Sequence, residues 1–439
     1  MKISNLWSVA FIALIFGSSS VMADGHEGKT LEDVIKILEE QQAEIAELKA
    51  QLGEGGAETI NTPQSPDAVG AQRSRWAPTG GKKKIAAGSW AAKTSVGGYG
   101  ELHSEILTGQ DGANDINRND IHRFILFVGH EFSDTIRLAT ELEIEHSFIG
   151  DGNPGDVVLE LMWLEMDINS NHHFRAGADI LPIGLLNLTH EPTTFYGVDR
   201  NSVEAEVIPT TWTEATAGIW GSILPGWNYN LNVHSGLVIP TAGSSAMRPR
   251  SGRQKVGNAT DQDIAIMGRL LYNGLPGLEV AYTFDYHSDY TGTADAIEAD
   301  AWLNEFHVHY EHRSGFGLRA LYARWDFSED NGFDPETFDA DDIMGWYIEP
   351  SYKTDIMMGQ LGVFYRYSVW NERDGTAANP SFENARNVFV QMHSHNMGIN
   401  WWPMDNQSVV FKFEYQNEDG DGASSGSHDG IKFGLGFQF

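Results

Sequence analysis

A row of alternating carboxylate and imidazole side chains lies in the second half of the chain. Glu305, His307, His309 and Glu311 are spaced two residues apart, and residues two apart on a strand point to the same side. Imidazole with carboxylate suits zinc or a similar divalent ion, but a ligand set also needs groups that converge from neighbouring strands. The alternative is a polar strand face that stays wet. We therefore predict neither a metal nor a cofactor here.

A second charged row is acidic, because Glu141, Glu143 and Glu145 alternate with Leu142 and Ile144. If this strand bordered an aqueous pore, its carboxylates would enrich cations there. The residues that we predict to line such a pore are Arg137, Glu141, Glu143, Glu145, Arg175, Asp179, Glu305, His307, His309 and Glu311. Arg137 and Arg175 leave open a reversed preference if they lie at the narrowest point.

A basic run, Arg248, Arg250, Arg253 and Lys255, falls in a long polar segment. Arginine pairs phosphate oxygens with fixed geometry, so this run could contact lipopolysaccharide phosphates or attract anions to a pore mouth. The alternative is an exposed, solvated loop. Both interpretations stay open on the sequence alone.

Several function classes are excluded or disfavoured. The chain has no cysteine, which excludes thiol catalysis and cysteine-ligated metal sites. Ser/His pairs such as Ser104 with His103 are adjacent in sequence and are not placed for nucleophilic attack, so we predict no enzyme. A formal net charge of -32, from 61 Asp+Glu against 29 Lys+Arg, argues against a nucleic-acid partner.

The first 93 residues carry no strand pattern. Residues 1–23 predict a signal peptide, with Lys2, an apolar run from Leu6 to Phe16 and small residues before Asp24. A membrane anchor is the weaker alternative because the run is shorter than the ~20 residues of a span. Residues 24–52 predict a periplasmic coiled-coil helix, and 53–93 a flexible linker.

The coiled coil rests on a heptad spacing of Leu31, Leu38, Ile45 and Leu52. A helix of this length is marginal alone and gains most from a partner helix, so we predict self-association. A lone amphipathic helix that lies on the following domain is the alternative.

From residue 94 to 439 the apolar pattern has period two, as in Ile431, Phe433, Leu435 and Phe437. Short turns alternate with long polar segments, and together they divide this region into sixteen predicted strands. The turns are placed at residues 132–134, 169–171, 224–226, 275–277, 313–315, 353–355 and 403–406. The loops are placed at 109–119, 149–156, 182–211, 236–261, 288–300, 328–342, 371–386 and 417–429.

This alternation is typical of an outer-membrane β-barrel with short periplasmic turns and long external loops. Lipid offers no hydrogen bonds, so a membrane-spanning sheet must close on itself. Sixteen strands also enclose more space than inward side chains fill, which predicts an aqueous channel. Aromatic residues near strand ends predict girdles at the lipid boundaries; they are Trp346, Tyr347, Tyr352, Trp401 and Trp402.

Four segments of the barrel region carry motifs: Gly97 to His103, His122-Arg123-Phe124, Gly129 to Phe132, and above all the segment from Leu181-Pro182-Ile183-Gly184 to Thr210-Thr211-Trp212. Through these segments the barrel region resembles the phosphate-selective porin O and P family. The resemblance implies a homotrimeric channel whose third external loop folds inward to narrow the pore. The residues that would form this constriction loop are His190, Glu191, Arg200, Glu204 and Glu206. The terminal Phe439 is similar to the last residue that the outer-membrane assembly machinery reads.

One departure from the family bears on selectivity. Residues 182–212 contain no lysine and only one arginine, Arg200, beside Glu191, Asp199, Glu204 and Glu206. Phosphate specificity is therefore not carried over. The leading hypothesis is passive diffusion of small hydrophilic solutes or ions with weak cation selectivity. An anion or phosphate channel and a non-conducting structural or tethering barrel are the alternatives.

Overall fold

A computed structural model describes residues 93–110, 113–150, 152–240, 247–260, 264–292, 300–328, 343–373, 389–420 and 427–439. Sixteen β-strands follow one another along these residues and form one closed antiparallel barrel, in which each strand pairs with its sequence neighbours and β1 pairs with β16. The predicted barrel of sixteen strands is confirmed. The predicted signal peptide and coiled coil lie outside the described residues, as do all but the last residue of the predicted linker.

The first eight strands are β1 (Thr94–Gly109), β2 (Ile116–Glu131), β3 (Ile136–Gly150), β4 (Asn153–Asp167), β5 (His172–Ile180), β6 (Thr213–Leu224), β7 (Trp227–His234) and β8 (Ala265–Tyr272). The last eight are β9 (Leu278–His287), β10 (Ala301–Glu311), β11 (Phe316–Phe327), β12 (Met344–Ile356), β13 (Gly359–Arg373), β14 (Phe389–Trp402), β15 (Val409–Gly420) and β16 (His428–Gln438). Among the described residues, no helix is long and apolar enough to cross a membrane.

The strands alternate between an apolar outer face and an inner face, as the period-two pattern predicts. On β15 and β16, Phe411, Phe413 and Phe433 are each about two-fifths exposed, whereas the intervening Lys412 and Lys432 are buried inside. Closure of the sheet supplies the backbone hydrogen bonds that lipid cannot. The outer face is thus suited to hydrocarbon around the whole barrel.

Three local predictions are wrong. Residues 149–156 are not a long loop, because β3 continues to Gly150 and β4 begins at Asn153. The turn predicted at residues 353–355 lies at Met357 and Met358, since β12 runs on to Ile356. Tyr347 and Trp402 are each 2% exposed and lie inside the barrel, because neighbours on a strand cannot both face lipid.

The interior contains one large apolar cluster and a separate region rich in charged side chains. Inward side chains of β8 and β10 to β14, among them Leu303, Trp325 and Tyr347, form the largest buried apolar cluster together with residues of the β5–β6 connection. That connection, residues 181–212, is named L3, and the β7–β8 connection, residues 235–264, is named L4. The inner walls of β1 to β4 carry smaller apolar clusters and also many buried charged side chains, such as Glu101, Arg123 and Glu143, so a charged site can form on that side of the barrel.

Candidate channel constriction

L3 is folded into the barrel and is almost entirely buried. Its short helical turn, Val203–Val207, packs against β12 at Gly345, where an added Cβ would lie 3.0 Å from both valine side chains. The indole nitrogen of Trp325 on β11 donates to the carbonyl oxygen of Val207 at 3.0 Å. Apolar contact thus holds the centre of the loop against the far wall.

Polar contacts hold the preceding part of L3 to β15 and β16. The ammonium group of Lys412 donates to the carbonyl oxygen of Gly197 at 2.6 Å. The backbone N–H of Val198 donates to Glu414 at 2.6 Å. Lys432 forms an ion pair of 2.7 Å with Asp199, so the loop is bound to the strands that close the barrel.

Glu204 is an organising residue inside L3. One carboxylate oxygen accepts the backbone N–H groups of Leu185 at 2.8 Å and Leu186 at 2.6 Å. The other accepts Tyr347 Oη at 2.7 Å and Asn201 Nδ2 at 3.2 Å. Burial raises the pKa of Glu204 even though these four donors favour the charged form. The residue therefore has a structural role within the loop and joins L3 to β12.

The described part of L4 packs on L3 through the basic run. Arg248 forms an ion pair of 2.5 Å with Glu206. Arg250 donates to Thr210 Oγ1 at 2.8 Å, and Arg253 donates to the carbonyl oxygens of Thr210 and Thr211. The run is thus folded into the barrel mouth and is not a fully exposed loop.

A cavity of about 280 Å³ remains between these loops and the walls of β1 to β4. Its charged and imidazole lining comprises Glu101, His103, His122, Arg123, Glu143, Glu145, Glu160, Asp199, Arg200, Glu206, Arg250, Arg253 and Lys255. The strand walls contribute most of the carboxylates, and the two loops contribute four of the five lysine and arginine side chains. The cavity therefore has an acidic side and a basic side.

Several of these charges are neutralised by neighbours. Arg123 is ion-paired with Glu101, while Asp199 and Glu206 have the lysine and arginine partners described above. Arg200, in contrast, donates to Thr211 Oγ1 at 2.7 Å. In the described part of the chain, none of the three side chains Arg200, Arg250 and Arg253 lies at ion-pair distance from a carboxylate.

The loop arginines lie in an environment that opposes their charge. Burial, together with repulsion from the neighbouring Arg250 and Arg200, lowers the pKa of Arg253 to about 10. Burial also lowers the pKa of Arg200, and repulsion from Arg123 lowers it in the same direction. A pKa of about 10 still leaves Arg253 cationic at neutral pH. Side chains of this kind can bind an anion or hold water in the constriction.

The predicted pore-lining residues fall into three places. Glu143 and Glu145 line the cavity, as do Arg200 and Glu206 of the predicted constriction loop. Glu141 on β3 and His190 in L3 are fully buried, and Glu191 and Glu204 of L3 are also buried. The remaining predicted residues face the barrel interior away from this cavity.

Arg137, Arg175 and Asp179 belong to an ion-pair network on β3 to β5. Glu165 accepts from Arg137 at 2.9 Å and from Arg175 at 2.7 Å, and Arg175 also pairs with Asp179 at 3.0 Å. Arg175 lies 4.1 Å over the ring of Trp163. The two arginines are thus committed to wall structure and do not lie at the constriction.

The row on β10 is also occupied by internal contacts. His307 bonds Glu305 at 2.7 Å through Nδ1 and Glu279 at 3.2 Å through Nε2. His309 Nε2 lies 3.3 Å from Glu311. Both ring nitrogens of His307 are used in hydrogen bonds, so the His307 imidazole offers no lone pair to a metal ion.

Sequence reasoning missed His122 and Glu160 as lining residues because each sits at a β-bulge. Glu141 pairs with Leu161 and Leu142 with Leu159, so Glu160 is the extra residue. Likewise, Glu101 pairs with Arg123 and Leu102 with Ile121, which leaves His122 unpaired. A bulge re-aims one side chain, and strict alternation in the sequence gives no signal for it.

No protein-family model matches the chain. An uncharacterized protein of Aquifex aeolicus (strain VF5) is 27% identical over 339 residues, which cover 74% of this chain and 76% of that protein. Two solved structures are similar in fold. An anion-selective porin from Comamonas acidovorans has a TM-score of 0.52 at 12% identity. The match covers 79% of this chain and 99% of that porin chain. The outer membrane channel DcaP of Acinetobacter baumannii has a TM-score of 0.50 at 12% identity, with 79% and 97% covered.

Proposed function

We propose that this chain, whose barrel has the fold of these porins, forms a water-filled channel in the bacterial outer membrane for passive diffusion of small hydrophilic solutes or ions. The observation that carries the proposal is the charged cavity of about 280 Å³ enclosed by L3, L4 and the polar wall of a closed barrel with an apolar outer face. Such a cavity would limit the size of solutes that pass. Nothing in this function requires catalysis, a cofactor or a nucleic-acid partner.

Weak cation selectivity is the version of this function that we favour. Glu143 and Glu145 lie on the wall opposite the loop arginines, so a permeating ion passes between opposite charges. These local charges nearly balance, which predicts a small preference. The net charge of -32 adds a general field that favours cations at the mouth.

An anion or phosphate channel is the second candidate. It is favoured by Arg200, Arg250 and Arg253, whose hydrogen bonds go to hydroxyl and carbonyl groups. A guanidinium without a carboxylate partner can bind a phosphate or carboxylate solute. The resemblance to the phosphate-selective porin O and P family points the same way.

Reversal potential in a salt gradient separates the two candidates. We expect a small potential of cation sign, which falls towards zero in the double variant Glu143→Gln with Glu145→Gln. The matched control is Glu131→Gln, which changes an exposed carboxylate at the short-turn end of β2. An anion-signed potential that Arg200→Gln and Arg253→Gln reduce would instead establish the second candidate.

The proposed setting follows from the same function. We propose an N-terminal segment that crosses to the periplasm after a signal peptide, a homotrimer, and insertion by the outer-membrane assembly machinery into a bilayer of lipid and lipopolysaccharide. The apolar outer face supports the membrane, and the heptad in residues 24–52 supports self-association. If no currents are recorded, a non-conducting tethering barrel is favoured instead.

A further inference from the structure

Three clusters in the described residues bring imidazole and carboxylate groups within 4.8 Å of one another. The first joins His234, Asp285 and His287. Both histidines bond Asp285 through Nε2, at 2.9 and 3.0 Å, and their Nδ1 atoms accept the backbone N–H groups of Gly236 and Leu237. The backbone donors fix the proton on Nε2, so the cluster is closed by hydrogen bonds.

The second cluster, Glu165, Asp167 and His173, is closed by cations. Arg137 contacts both carboxylates, and Arg175 bonds Glu165. His173 lies 2.5 Å from Asp167. These arginines already supply the positive charge that a metal would bring.

In the third cluster the imidazole and carboxylate atoms lie farther apart. His190 Nε2 lies 3.8 Å from Glu141 Oε1 and 3.8 Å from Glu160 Oε2. These separations are too long for hydrogen bonds. Glu160 is 4% exposed, and its Oε2 atom is buried without a hydrogen bond in the described structure. Such a carboxylate is costly unless a cation or proton compensates it.

The tautomer of His190 suits coordination. Its Nδ1 lies 2.8 Å from the carbonyl oxygen of Asn187, and a carbonyl can only accept. Nδ1 therefore carries the proton, and Nε2 presents its lone pair towards the two glutamates. Metal-binding histidines are typically oriented by this kind of N–H to carbonyl bond.

We propose that Glu141, Glu160 and His190 bind one divalent transition-metal ion of the zinc type. In a tetrahedral site, zinc lies about 2.0 to 2.2 Å from nitrogen and oxygen ligands, which puts two ligand atoms about 3.4 Å apart. The observed 3.8 Å needs only a small contraction. Calcium is disfavoured because it takes six to eight oxygen ligands, whereas this cluster offers an imidazole and two carboxylates.

The placement of the site gives the ion an entry path and a structural role. Glu160 also lines the cavity, so the ion reaches the cluster from the channel side. His190 belongs to L3, whereas Glu141 and Glu160 belong to β3 and β4. The bound ion joins the constriction loop to the wall opposite its apolar anchor. This role does not depend on which solute the channel carries.

The test uses the full chain, purified in detergent without a histidine tag, and Co²⁺ as a spectroscopic probe that Zn²⁺ displaces. We expect about one tightly bound Co²⁺ per chain with the visible absorption of a four-coordinate ion. Glu160→Gln and His190→Gln should each weaken Co²⁺ affinity by more than about tenfold. His312→Gln removes an exposed imidazole and should bind Co²⁺ like the wild type.

Failure to retain Co²⁺ or Zn²⁺ in the wild-type protein would overturn the proposal and indicate a proton-bridged cluster. Unchanged Co²⁺ affinity in both Glu160→Gln and His190→Gln would also overturn the proposal. If those variants do not fold, the X-ray absorption spectrum of zinc bound to the wild-type protein tests the ligand assignment. We expect a shell of nitrogen and oxygen with one imidazole, and two or more imidazoles would contradict the assignment.

Discussion

The ammonium nitrogen of Lys432 lies 2.7 Å from a carboxylate oxygen of Asp199 and so joins the last strand of the barrel to the loop that fills it. Asp199 also accepts from His103 on β1 at 3.1 Å. The loop is therefore bound on both sides of the β1–β16 seam, where the barrel closes. Closure of the barrel and placement of L3 are coupled through this acidic residue.

Lys432→Glu should impair folding, since it places a carboxylate beside Asp199 and Glu105, both of which face the lysine now. Loss of one partner of a buried pair costs about 3 to 5 kcal/mol. The measurement is the thermal midpoint of the heat-modifiable band in gel electrophoresis. Lys432→Gln, which adds no negative charge, should lower the midpoint less. Equal midpoints for Lys432→Glu and wild type would disprove the coupling.

This prediction shows where sequence alone misleads. Alternation places Lys432 on the inner face correctly, and a lysine beside open water would tolerate replacement by Glu. Its ion-pair partner is 233 residues distant on L3. No local pattern contains that pairing, because it depends on how the loop folds back across the barrel.

Glu204→Ala should loosen L3 and leave the barrel closed. The substitution removes the acceptor of two backbone N–H groups, those of Leu185 and Leu186, and each unsatisfied buried donor costs about 1 to 3 kcal/mol. We expect faster proteolysis within residues 181–212 while the strand content measured by circular dichroism is retained. Glu131→Ala, at an exposed position, serves as the control. Proteolysis at the wild-type rate would contradict the role assigned to Glu204.

Leu435→Arg should impair membrane insertion. Leu435 lies on the same outer face as Phe433, and arginine facing lipid near the midplane costs about 2 to 4 kcal/mol. The measurement is the folded fraction after dilution into lipid vesicles, with Leu435→Val as the matched control. Insertion of the arginine variant at the wild-type level would show that this face does not contact lipid.

The strand pattern was predictable because one physical requirement, an apolar outer face, repeats through every strand. Because of the same requirement, the sixteen strands and most turns could be predicted from the sequence. The site was less predictable for two reasons. The bulge at Glu160 breaks the alternation, and the inner face of β11 carries Trp325 in place of a polar group because L3 covers it.

Deletion of residues 31–52 should weaken the proposed trimer without unfolding the barrel. The heptad residues contribute helix pairing, whereas strand pairing stabilises each barrel separately. The measurement is the mass of the detergent-solubilised complex by light scattering, with and without the deletion. A control variant replaces Gln41 with Leu. Gln41 shares the second apolar position of the heptad with Val34 and Leu48, so this change should strengthen association. A full-length protein of monomer mass would refute the trimer.

Single-channel recording with a cysteine in the cavity tests the central claim most directly. The natural chain has no cysteine, so Glu145→Cys places a single thiol on the cavity wall. We predict stepwise currents in a planar bilayer that fall when a thiol-reactive reagent attaches there, and no fall for Ser314→Cys in an exposed turn. Absent steps, or steps that modification at residue 145 leaves unchanged, would contradict a channel through this constriction.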